Sequence, residues 1–156
     1  GATGGAMVLL FYREHFKASE NADGKLACFC TAPAIRNVPQ AFFCEVMGTF
    51  LLILPIFLMT GATVALPSAA SASEAPIGLG TLGLLPVALL VFGIGLSLGG
   101  TTGYAINPAR DLGPRIAHAL IPVPGKRDSD WGYAWVPVAG PLAGALLAAL
   151  ADAVLH

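Results

Sequence analysis

The sequence predicts an all-α membrane protein, and two observations carry that prediction. Hydrophobic residues make up 56% of the 156 residues and charged residues only 11%, against roughly 25% charged in an ordinary soluble domain. The charges are also bunched, leaving residues 46–66, 75–109 and 131–151 without an Asp, Glu, Lys or Arg. Each run reaches the ~20 residues that cross a hydrocarbon core as helix. The other home for such runs, the core of a large soluble domain, would need a polar shell that so few charges do not build.

Residues 1–12 are apolar but too short to span, and cations follow rather than precede them, the reverse of a signal peptide. They read as the end of a truncated span. Residues 13–39 form a polar connection of mixed charge, with Pro33 and Pro39 marking its approach to a helix. The first complete span is expected over residues 38–66, with Glu45 as its only charged group and Pro55 as a kink. Residues 67–76 are rich in Ser and Ala and read as a short loop, after which a second span is expected over residues 77–98.

Gly99-Gly100-Thr101-Thr102-Gly103 is expected to break that span while still inside the uncharged run. Non-helical backbone at membrane depth is tolerated only where it is buried in protein or lines a watery cavity. Residues 99–106 are therefore the first candidate functional stretch. Asn107 is a preferred N-cap and Pro108 suits the first helical position, so a helix over residues 108–117 is expected, about 15 Å long and half a membrane deep. The last span, over residues 131–155, opens with Trp131, Tyr133 and Trp135, aromatics suited to the interface. Gly95 and Gly99, and again Gly140 and Gly144, have the GxxxG spacing of close helix contact, or the spacing that chance gives a chain with 19 glycines.

A formal net charge of -1 argues against a nucleic-acid partner. Cys28 and Cys30 make a lone C-x-C, too few ligands for zinc, and Cys44 pairs with neither. His15, His118 and His156 show no ligand spacing, so neither metal nor cofactor is expected. Gly78, Gly80 and Gly83 match the dinucleotide fingerprint, but they follow a loop rather than a strand and lack the acid about twenty residues on. No nucleophile, base and orienting group come together, which points away from an enzyme.

The segment Gly103-Tyr104-Ala105-Ile106-Asn107-Pro108-Ala109-Arg110-Asp111-Leu112-Gly113-Pro114-Arg115 closely resembles the second signature segment of the major intrinsic proteins, the aquaporin and glycerol-facilitator family. The resemblance extends to Ala41-Phe42-Phe43-Cys44-Glu45 in the first complete span and to Pro137-Val138-Ala139-Gly140-Pro141 in the last. It covers essentially the whole chain. It implies the second inverted repeat of an aquaporin-like bundle, the C-terminal half of a channel domain. Three full spans and a re-entrant loop with half-helix over residues 99–119 would make up that repeat. Asp111, Arg115, Pro137-Val138 and Gly95 resemble the glycerol-conducting branch; water-selective members usually carry Ser, a small residue, an aromatic pair and His at those places. Tyr104 stands where the bacterial glycerol facilitator has Phe, keeping an aromatic wall but adding a hydroxyl.

The resemblance implies a channel for passive diffusion of glycerol, other small neutral solutes and water, closed to ions and protons. Arg110, Tyr104 and Gly95 would form the selectivity filter, and Asn107, Pro108 and Ala109 the pore-lining motif. The carbonyls of Gly103, Tyr104 and Ala105 would be acceptors, with Glu45 and Asp111 in support. Asn107 and Arg110, three apart at a helix start, share a face and can both donate to a passing hydroxyl. The positive end of the half-helix and Arg110 together would repel cations and protons. Arg110 has a second reading as an arginine snorkelling to headgroups, and Glu45 as an acid solvated at the membrane edge near Pro39.

The implied partners are the lipid bilayer and the solutes themselves, with a homotetramer in the plasma (inner) membrane. Family topology would put residues 13–39 and 110–130 outside the cytoplasm, yet all Lys and Arg residues fall there, against the positive-inside tendency. The orienting charges are expected in an N-terminal half. A first repeat with its own half-helix is also needed to close the pore: it is missing from an incomplete sequence, or a second copy or a partner supplies it. A water-selective channel and a non-conducting, channel-derived scaffold are the alternative functions.

Overall fold

The computed structural model describes residues 1–66 and 73–156. Helix α1 (Ala2–Phe11) leads into two short helices, α2 (Arg13–Ala18) and α3 (Ala22–Ala27). Three longer helices follow with a short one among them: α4 (Val38–Leu58), α5 (Leu85–Thr102), α6 (Pro108–Leu120) and α7 (Val136–Leu155). Among the described residues, three helical stretches are long and apolar enough to cross a membrane: Val38–Leu58, Gly80–Thr102 and Val136–Leu155.

Helix α4 starts where expected, because Asn37 accepts a hydrogen bond from the Gln40 amide and Pro39 sits in the first turn. It stops at Leu58, short of the predicted residue 66. Thr60, Gly61, Thr63 and Val64 are poor helix formers, and strand β1 (Thr63–Leu66) pairs antiparallel with β2 (Ser73–Pro76), Thr63 opposite Pro76 and Leu66 opposite Ser73. This hairpin is the one departure from all-α architecture among the described residues. Of the loop predicted over residues 67–76, residues 67–72 lie outside the described residues.

Helix α5 also departs from expectation at both ends. A 3-10 turn (Gly80–Leu84) precedes it, with Gly80 at a left-handed φ of 55°, and Pro86 in the first turn fixes the α-helical start at Leu85 rather than near residue 77. The predicted break at Gly99 does not occur. The helix runs on through Thr102 and ends at Gly103, whose φ of 80° is the left-handed C-terminal stop that glycine permits. In a bilayer the backbone keeps its helical hydrogen bonds as long as it can, since no water would replace them. Only residues 103–107 remain non-helical before α6.

Helix α6 is longer than predicted, 13 residues or about 20 Å. The carbonyls of His118 and Ala119 in its last turn, and that of Ile121 just past its end, all accept from the Lys126 ammonium, a cation placed at the negative end of the helix. Helix α7 begins at Val136, with residues 131–135 forming turns, because Gly132 and the left-handed Asp130 precede it and Pro137 fits its first turn.

Helices α4 and α7 make the closest pair. A β-carbon on Gly140 would lie 2.7 Å from Glu45 Cβ, and one on Gly144 only 2.3 Å from the Val46 carbonyl oxygen. The Gly140/Gly144 spacing is therefore a true contact stripe, where missing side chains let two backbones touch. Helix α1 lies on α6 in a similar way: Gly5 packs toward Ala117 and Pro114, and Gly113 toward Gly1 and Ala2. Phe16, Leu26, Phe29, Cys30, Ala117 and Val123 form an apolar cluster that fastens the α2–α3 region to the far end of α6. Helix α5 buries only Ile94 and Thr102, so most of its apolar surface faces outward.

Candidate functional site

Glu45 organises the site from inside α4. Its residue is fully buried, which rules out the reading of an acid solvated at the membrane edge. Oε1 accepts from Thr102 Oγ1 at 2.6 Å and from the Ala105 amide at 3.1 Å, and Oε2 accepts from the Ile106 amide at 2.7 Å. A trans peptide points its N–H and C=O in opposite directions. The amides of Ala105 and Ile106 share their peptide planes with the carbonyls of Tyr104 and Ala105, so both carbonyls turn away from Glu45. This geometry needs unusual backbone: Tyr104 and Ile106 have left-handed φ values of 40° and 41°. Side chains rarely adopt that region, and it persists where surrounding bonds over-determine it.

Asn107 follows in extended conformation and caps α6, its Oδ1 accepting from the Ala109 amide at 2.9 Å. That leaves the Asn107 amide nitrogen as a free-facing donor. Pro108 occupies the first turn, and Asn107, Ala109 and Arg110 are exposed. The Arg110 guanidinium lies 4.6 Å from the centre of the Tyr104 ring, within cation–π range. No carboxylate among the described residues pairs with it.

Tyr104 in turn rests on α5. A β-carbon on Gly99 would meet Tyr104 Cδ1 at 2.7 Å, and one on Gly95 would meet Cζ at 3.3 Å. The Gly95/Gly99 spacing thus seats an aromatic ring rather than another helix. It also explains the unbroken helix at Gly99, since the ring fills the space beside it. This ring occupies the space beside Gly95, and clefts of about 410 and 400 Å³ flank it. The first is lined by residues 27–32 with Gly103, Tyr104 and Arg110; the second by residues of α5 with Tyr104. Gly95, Tyr104 and Arg110 are brought together in a stack, and Asn107 stands one helical turn before Arg110.

Asp111 points elsewhere. It is fully buried, accepts from the Thr31 amide and hydroxyl at 2.7 Å each, and pairs with buried Arg115 at 2.7 Å. Thr31, Thr102 and the anchoring role of Arg115 escaped the sequence reading. Asp111 and Arg115 have the i,i+4 spacing of a helical ion pair, so that contact was discoverable; Thr31 lies 80 residues away and carried no signal. Outside the spans, Arg36 forks onto Asp130 and lies 5.6 Å from the Tyr133 ring centre. That guanidinium holds the Asp130 carboxyl below the usual carboxylate range. Cys28 is exposed and Cys30 buried, with burial pushing the Cys30 thiol up to about 12. No group of three or more His, Cys, Asp and Glu among the described residues could hold a metal.

The model of the family described as "Major intrinsic protein" matches residues 1–152. The glycerol uptake facilitator protein of Streptococcus pneumoniae is 48% identical over 147 residues, 94% of this chain and 57% of that protein. The probable glycerol uptake facilitator protein of Thermotoga maritima is 47% identical over 146 residues, 94% of this chain and 56% of that one. The structure of the aquaglyceroporin from Plasmodium falciparum superimposes with a TM-score of 0.69 at 26% identity, covering 99% of this chain and 59% of that one. The chain thus spans little more than half the length of these relatives. With a family match over nearly all its residues and three membrane-length helices, this is an integral membrane protein that belongs to the major intrinsic protein family.

Proposed function

We propose that this chain supplies one half of a channel for passive diffusion of glycerol, similar small neutral solutes and water. One observation carries the reading: the donors of Asn107 and Arg110 stand beside a strained turn whose Tyr104 and Ala105 carbonyls face away from buried Glu45. Glycerol has hydroxyls along one edge and carbon along the other. A polar rail of those donors and acceptors, including the Gly103 carbonyl, would replace its lost water, while Tyr104 seated on Gly95 would supply the apolar wall. Pro108 and Ala109 fix the start of the half-helix that presents the donors. The names of the two bacterial relatives support glycerol as a solute.

Exclusion of ions and protons follows from charge. The N-terminus of α6 carries roughly half a positive charge, and Arg110 adds a full one with no carboxylate paired to it among the described residues. Cations entering the stretch would meet both without compensation. The same reading places the protein in a plasma membrane, as a homotetramer, with a first repeat, a second copy or a partner covering the outward face of α5.

A water-selective passage is the second reading, and the Tyr104 ring over Gly95 favours it by narrowing the space there. Stopped-flow light scattering of proteoliposomes holding the protein as its cell makes it separates the readings. Rapid glycerol entry supports the first. Water entry without glycerol supports the second, and vesicles no more permeable than empty ones overturn both.

A further inference from the structure

We propose that Thr31, Asp111 and Arg115 form a buried clamp that sets the width of the outer mouth and so the largest polyol admitted, an inference that rests on the channel reading above. Asp111 and Arg115 are fully buried on α6 and bonded twice, Nε to Oδ1 at 2.7 Å and Nη2 to Oδ2 at 2.8 Å. Asp111 Oδ2 accepts both the amide and the hydroxyl of Thr31, and Arg115 Nη2 donates to the Thr31 carbonyl at 2.8 Å. Every polar group of Thr31 is therefore taken by this one pair. The other arm of the guanidinium, Nη1, donates to the carbonyls of Ser129 and Asp130 at 2.7 and 3.1 Å.

The clamp acts on backbone that lines the passage. Residues 27–32 form one wall of the cleft of about 410 Å³, and Gly103, Tyr104 and Arg110 form the other. Thr31 also lies beside the start of the strained turn: a β-carbon added to Gly103 would come within 3.4 Å of Thr31 Cγ2. Arg110 and Asp111 are consecutive on α6 and so point about 100° apart. One helix turn thus presents the donor to the cleft and pins the facing wall at a fixed distance from it.

A buried ion pair is a weak device for stability, because desolvation offsets most of its attraction. Its worth here lies in geometry. Loosening residue 31 would let the wall recede from Arg110 and Tyr104 and widen the gap for longer solutes.

Removing Asp111 would strand a buried arginine and risk the fold, so the test uses Thr31→Val, which keeps the shape and the amide bond but loses the hydroxyl donor, with Thr31→Ser as the conservative rescue. Proteoliposomes of the complete natural protein are assayed for glycerol and for a five-carbon polyol, and maleimide uptake at buried Cys30 is read by peptide mass spectrometry. In Thr31→Val the ratio of five-carbon polyol to glycerol permeability is expected to rise roughly three- to tenfold, the factor one net hydrogen bond carries, with faster Cys30 labelling. Thr31→Ser is expected to restore both. Faster labelling with an unmoved ratio overturns the proposal, because the clamp then fastens the loop without setting the mouth; so does no change in either. Wild-type vesicles that pass no glycerol refute the channel reading and the clamp with it, whereas wild-type flux with an unmoved ratio refutes the clamp alone.

Discussion

Replacing Glu45 by glutamine isolates the bonds that hold the strained turn. Glutamine fills the same space but offers one acceptor oxygen and one NH2 donor. The carboxylate accepts from Thr102 Oγ1, Ala105 N and Ile106 N. Whichever way the amide is set, one of the two backbone N–H groups faces a donor. Losing a hydrogen bond to a charged group costs about 1.5–3 kcal/mol, and an orphaned buried donor about 1–3 kcal/mol. The two penalties overlap, so a total of about 2–4 kcal/mol is expected. The left-handed backbone of Tyr104 and Ile106 depends on these bonds, and such strain costs about 1–3 kcal/mol per residue, so this turn relaxes before the spans separate. Detergent-titrated unfolding in mixed micelles, followed by circular dichroism, measures the stability change, and glycerol flux in proteoliposomes measures the functional one. Stability within ~0.5 kcal/mol of wild type together with unaltered flux would refute the assignment of Glu45 as the brace of this turn.

Other consequences are open to direct measurement. Gly144→Ala places a methyl 2.3 Å from the Val46 carbonyl oxygen, so α7 must move off α4; a loss of about 1–3 kcal/mol is expected in the same unfolding assay, with Gly4→Ala, which meets nothing within 4 Å, as the harmless control. The Arg36–Asp130 pair depresses the acid's pKa, so its contribution is present above the ordinary aspartate value of about 3.9 and is lost only as pH falls through the lower folded value. Hydrogen exchange around residues 128–134 is expected to be flat from pH 7 to 5 after correction for intrinsic rates, and Arg36→Gln should abolish the protection at neutral pH. Lys126→Met removes the ammonium shared by two α6 carbonyls and that of Ile121 just beyond the helix, and faster exchange at the C-terminal turn of α6 is expected.

The spans were legible because charge is costly in hydrocarbon, so Glu45 and the edges of the uncharged runs stood out without any structure. Boundaries were less so, since a stop needs only a local preference that packing can override. The Gly99-Gly100 pair reads as a breaker on propensity alone, yet the helix passes through it because Tyr104, a few residues on, fills the room beside Gly99. Two glycine pairs of identical spacing serve different ends: Gly140 and Gly144 admit the α4 backbone, whereas Gly95 and Gly99 admit an aromatic ring. Spacing tells that something comes close, not what comes. Asn107, Pro108 and Arg110 were readable as a helix start with donors attached. The partners of Asp111 and Glu45 were not, because Thr31 and Ala105 reach them across 80 and 60 residues of chain.

The account stands most directly on glycerol permeability measured side by side for the natural protein and its Asn107→Ala, Arg110→Ala double variant, in vesicles matched for inserted protein. Two donors of about 0.5–1.5 kcal/mol each should together change the permeability by roughly five- to a hundredfold. A wild type that passes glycerol quickly, with a double variant altered by that factor, is the predicted result. Equal glycerol permeability in the two proteins would contradict it, because the donors at the start of α6 would then have no part in the path of the solute.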